Sequence, residues 1–70
     1  MGNPTRHIDR EIAIYMERED MRDSEMAAQL KMTVPTFNAK RRGDRDWKWS
    51  ELLTMCKLFG ITPNQLTGIN

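Results

Sequence analysis

Apolar residues recur at helical spacing along most of the chain, and no segment shows the two-residue alternation of a half-buried strand. The first stripe is Ile8, Ile12, Tyr15 and Met16, running on toward Glu19. It predicts a helix over about 8–19, with Asp9, Arg10, Glu11, Glu17 and Arg18 on the solvated side. Ahead of it, Met1–His7 contains Gly2, Asn3 and Pro4 and reads as irregular, with Arg6 and His7 in solvent. Met26, Ala27 and Leu30 mark one face of a second, short helix. A third opens at Thr33, an N-cap residue, with Pro35 in the first turn, where a missing N–H costs little. It turns Val34 and Phe37 inward and stops at Gly43, after Lys40, Arg41 and Arg42 in its last turn. A fourth helix is expected over Trp49–Phe59, with Trp49, Leu52, Leu53, Cys56 and Phe59 inside. Gly60 ends it, and Ile61 returns to the core. Thr62-Pro63-Asn64-Gln65 is a capping box with proline at the first helical position, so a one-turn fifth helix should run through Leu66. Met16, Met21, Met26 and Met32 sit at inward positions and read as core filler.

Two short helices joined by a tight break over about 22–43, with a small residue at Ala27 where the helices pass, have the layout of a helix-turn-helix. The order Met26-Ala27, Leu30-x-Met32-Thr33, Thr36-Phe37 and Arg41-x-Gly43 resembles the Cro/repressor-type (XRE) helix-turn-helix regulators. The run from Trp47 to Thr62 is similar to that family's fourth helix and closing turn. Thr36-Phe37, the Lys40-x-x-Gly43 that follows and Glu51-Leu52-Leu53 look most like small phage and prophage members. The resemblance covers roughly residues 8–67 and implies one all-α domain over 1–70, a compact five-helix lambda-repressor-like fold. At two places the chain departs from the family. Arg22 and Lys48 stand where a Thr or Ser usually caps the second and fourth helices, although Glu25 and Glu51 follow three residues later. Both capping boxes have thus lost their first half, which leaves Asp23 and Ser50 as candidate caps.

Composition bounds the chemistry. Seventy residues allow one domain with a small core, and 39% hydrophobic with 30% charged residues is a globular balance. The net charge of +1 says nothing about nucleic acid, but its distribution does. Residues 1–32 carry five basic and seven acidic side chains, whereas residues 33–50 carry five basic and two acidic. The positive excess begins at the third helix. One cysteine precludes an internal disulfide, and Cys56 reads as a small buried hydrophobe. No apolar run approaches the ~18 residues of a membrane span, there is no signal peptide, and the expected compartment is the cytoplasm of a bacterial cell or infected bacterial host. With one histidine and one cysteine there is no metal-ligand spacing; nor is there a nucleophilic triad or a phosphate-binding glycine loop. No enzyme activity, cofactor or small-molecule ligand is expected.

The expected partner is double-stranded DNA. A helix-turn-helix lays its second helix in the major groove, which makes Val34, Pro35, Thr36, Asn38 and Ala39 the base-reading positions. Three of these offer only apolar contact, so the reading should be modest and tolerant of A·T, with much of the affinity from phosphates. Arg22, Thr33, Lys40, Arg41, Arg42, Arg45 and Lys48 are the expected phosphate contacts. The basic residues at the two caps can bind phosphate where the capping hydroxyls are missing. Trp47, Met55, Leu58, Leu66 and Ile69 exceed what one small core needs and are the expected interface of a weak homodimer formed on DNA through the helix 4–helix 5 side. The function these features imply is a sequence-specific transcriptional regulator, a phage or prophage repressor or Cro-like switch. The alternatives are a helix-turn-helix protein that binds protein, as an antirepressor or inhibitor of a host defence nuclease, or an antitoxin.

Overall fold

The computed structural model describes residues 4–68. These residues form five helices: α1 (Pro4–Arg18), α2 (Asp23–Gln29), α3 (Val34–Arg42), α4 (Trp49–Phe59) and α5 (Pro63–Thr67). No strand occurs among the described residues.

α1 starts four residues earlier than its apolar stripe suggests. Proline has no N–H to lose and a φ already suited to a helix, so Pro4 opens the helix where the sequence reads as a loop. Ile8, Ile12 and Met16 are buried as expected, and Tyr15 is half-buried with its ring 4.6 Å from that of Phe59. Glu19 lies past the helix end and is exposed, which corrects its place on the stripe. The chain reverses through Asp20 at φ 53° and re-enters the core at Met21.

α2 and α3 form the helix-turn-helix at the expected boundaries. Met26, Ala27 and Leu30 are buried against α3. The turn is closed by the Met32 N–H, which donates to the Ala27 carbonyl at 3.0 Å, and Lys31 adopts a left-handed φ of 59°. Thr33 caps α3, its hydroxyl oxygen accepting from the Thr36 N–H at 3.4 Å. Gly43 ends the helix at φ 87°, a region that costs glycine nothing sterically.

α4 has the expected ends but a different buried face. Met55 and Cys56 are buried and Leu52, Leu58 and Phe59 pack on the core, while Trp49 is 61% and Leu53 39% exposed. Seven of its eleven residues are apolar, so the stripes 49/52/53/56 and 52/55/56/59 both have helical spacing. The inner one is chosen by packing: flexible Met55 fills the interior, and α5 docks on α4 with Leu66 fully buried. Phe37, Ile12, Met26, Met55 and Leu66 are the largest fully buried side chains, contributed by five different helices around one centre. Burial pushes the Cys56 thiol above its ordinary range.

Candidate nucleic-acid interface

α3 shows its outer side at Pro35, which is exposed, and at Thr36, Asn38 and Ala39, which are partly so. Val34 does not stand with them: it packs against the core, which corrects its place among the base-reading positions. The Thr33 hydroxyl donates to the Thr36 hydroxyl oxygen at 3.0 Å while accepting from the Thr36 N–H. Thr33 is thereby engaged twice within the cap, through the Thr36 N–H and the Thr36 hydroxyl. The Thr36 hydroxyl shares that bond and is partly exposed on the outer side of the helix. Two polar depressions flank the helix. Asn38 lines one of about 360 Å³ with Asp9, Arg41 and Arg42. On the other flank Thr36 lines one of about 280 Å³ with Lys40, Arg45, Asp46 and Lys48.

The three basic residues that end α3 divide by what holds them. Lys40 is 6% exposed, and its ammonium donates to both Glu51 carboxylate oxygens at 2.6 and 2.7 Å. It also lies 5.8 Å from the centre of the Trp47 ring. It ties α3 to the start of α4 and leaves the set of phosphate contacts. Arg41 leaves it too. Its guanidinium pairs with Asp9 of α1, lies 3.8 Å from Asp23 of α2 and covers the Phe37 ring at 5.6 Å. Asp9, expected on a solvated face, is therefore half of an interhelix bond. Arg42 is different: its 3.0 Å pair with Asp44 has both partners mostly exposed, and such pairs are worth little. A phosphate can replace that carboxylate. Arg45 is exposed and opens onto the Thr36 depression.

Both altered caps are where the sequence placed them. Arg22 and Lys48 are the N-cap residues of α2 and α4, so neither Asp23 nor Ser50 takes over; each is already inside its helix. Half of each capping box survives. The Arg22 N–H donates to Glu25 at 3.0 Å, and the Lys48 N–H donates to Glu51 at 2.8 Å. The other half is chemically absent, because guanidinium and ammonium groups offer no acceptor. Both side chains are exposed, and neither has an ion-pair partner among the described residues. Lys48 stands between the Thr36 depression and a third one, of about 370 Å³, lined by Gln29, Lys31, Ser50 and Thr54 among others. Lys31 escaped the sequence reading. Its only signal was a basic residue in the turn of the motif.

The apolar residues expected at a dimer interface are placed otherwise. Met55 and Leu66 are fully buried, since one core of this size takes both. Trp47 is half-buried with its ring edge-on to Phe37, the centroids 6.3 Å apart, and Leu58 packs on the core from outside. Ile69 lies outside the described residues. The exposed apolar residues of α4 are Trp49 and Leu53.

Five short helices about one core, the second and third joined by a closed turn, define a helix-turn-helix domain. The chain belongs to the Cro/C1-type helix-turn-helix DNA-binding domain family, whose model matches residues 11–70. No curated protein and no solved structure matches it. Among the described residues no helix is long and apolar enough to cross a membrane. Among the described residues no group of three or more His, Cys, Asp or Glu side chains could hold a metal ion.

Proposed function

We propose that the protein is a sequence-specific transcriptional regulator, a repressor or Cro-like switch of phage or prophage type, acting in the cytoplasm of a bacterial cell. The observation that carries this reading is the convergence of Thr36, Arg45 and Lys48 on one depression beside the outer side of α3. A partly exposed hydroxyl stands there with two exposed cations and the Asp46 carboxylate, an arrangement that suits a base edge beside a phosphate. Arg22, Lys31 and Arg42 extend the positive surface. Two copies bind together on a near-palindrome, because one α3 spans only a few base pairs.

Selection from a pool of random duplexes, followed by gel shifts across a salt series, tests this. Affinity should fall steeply with salt, and Arg42→Ala, Arg45→Ala and Lys48→Ala should each flatten the dependence by about one unit of slope. Lys40→Ala and Arg41→Ala should leave the slope unchanged and lower the melting temperature instead. Absence of any shift at low salt would reject the reading and favour a protein-binding role.

A further inference from the structure

We propose that two copies pair through one line of α4, Trp49–Leu53–Lys57, packed antiparallel about a two-fold axis at Leu53. The inference rests on the pairing proposed above and gives it a surface.

Trp49, Leu53 and Lys57 stand at i, i+4 and i+8, so they share one side of the helix over about 12 Å. All three are exposed. Trp49 and Leu53 are two of the three exposed large hydrophobics among the described residues; the third, Ile14, is alone on the outer side of α1. A surface that binds its own copy must be self-complementary. Here an antiparallel contact sets Leu53 against Leu53 of the second copy and Trp49 against Lys57, twice over. An ammonium is attracted to the face of an indole ring, and the lysine stem covers the ring's apolar edge. No carboxylate competes for that ammonium from the same line, because Glu51, the one acidic residue of α4, is turned inward to Lys40 and its own cap. Antiparallel helices also align their dipoles favourably.

Size sets the strength. Three side chains per copy remove on the order of a few hundred Å² from water, well short of the ~800 Å² per partner of a stable complex. Pairing through this line alone is weak in free solution and gains from two adjacent half-sites, which raise the effective concentration of the second copy.

The test is sedimentation of the free protein over a concentration series reaching the millimolar range. Leu53→Glu should weaken self-association at least tenfold, because it sets two carboxylates face to face at the axis. Lys57→Glu should weaken the wild-type pair but strengthen the Trp49→Lys variant, where the introduced ammonium of one copy meets the introduced carboxylate of the other. That reversal of sign separates the proposed register from a general effect of net charge. All the substitutions are at exposed positions, and thermal melts verify that each variant is folded. On DNA, Leu53→Glu should bind a single half-site like wild type and lose cooperativity on the full palindrome. The proposal is overturned by wild-type protein that stays monomeric over the whole series, by Leu53→Glu pairing like wild type, or by Lys57→Glu acting in the same direction in both backgrounds. If wild type binds no duplex, the DNA reading fails, while sedimentation of the free protein still decides the pairing surface.

Discussion

A buried ammonium costs several kcal/mol unless a counter-charge accompanies it. Lys40 meets that condition through Glu51, whose carboxylate takes two bonds from the ammonium and one from the Lys48 N–H. Glu51→Gln keeps the cap acceptor and removes the charge, so it should destabilise the domain by about 3–5 kcal/mol in urea unfolding. Lys40→Met in addition should recover most of that loss, since an unbranched apolar side chain then fills the site and no charge is left unpaired. A double variant as unstable as Glu51→Gln would mean that the lysine stem, not the charge, matters. Cys56 gives a pH dependence. Its folded thiol titrates above its ordinary value of 9.0 because burial disfavours the thiolate. The native state therefore holds its proton where the unfolded chain has released it. Cys56 should lower stability as pH rises through the unfolded value toward the folded one, and Cys56→Ser should flatten that decline in melts from pH 8 upward.

At the scale of elements, α3 shows what the sequence made legible and what it did not. Its ends were readable because capping is local chemistry: Thr33 accepts from an N–H three residues on, and Gly43 takes a φ that other residues avoid. The fate of Lys40 and Arg41 was not readable, because Glu51 and Asp9 lie 11 and 32 residues away and nothing local marks them as partners. The same distinction holds for α4. Its boundaries follow from Glu51 and Gly60, but its apolar residues cover so much of the helix that only docking with α5 selects the inner stripe. That is why Met55 and Trp49 exchange the places expected of them. In the proposed role, base reading from the outer side of α3 falls to Thr36 and Asn38. Asn38→Ala and Thr36→Ala should each reduce discrimination between a selected site and its mismatches by roughly 1–3 kcal/mol if the contact is direct. Equal weakening on selected and random duplexes, measured by competition gel shift, would mean that these residues only position the helix.

The backbone of the described residues extends over 30 × 25 × 20 Å, comparable along its longest axis with one ~34 Å turn of DNA, and it carries a single α3. Two copies side by side can therefore present two α3 helices one turn apart, whereas one copy cannot. So small a domain has little stability in reserve, on the order of 0.05–0.15 kcal/mol per residue. Phe37 is fully buried, meets Trp47 edge-on and lies under Arg41. Phe37→Ala should cost about 3–5 kcal/mol, enough to leave much of the protein unfolded at 37 °C by circular dichroism. A near-normal melting temperature would mean that the core can collapse around the gap. The grip on α3 has one more consequence. Phe37, Lys40 and Arg41 anchor the helix from its inner side, through the core, α4 and α1 in turn. Pro35, Asn38 and Ala39, which lie between or before these anchors, carry none of that load. Mutation can rewrite the outward positions while the frame stays fixed, so descendants of such a domain can diverge in the sites they recognise long before they diverge in shape.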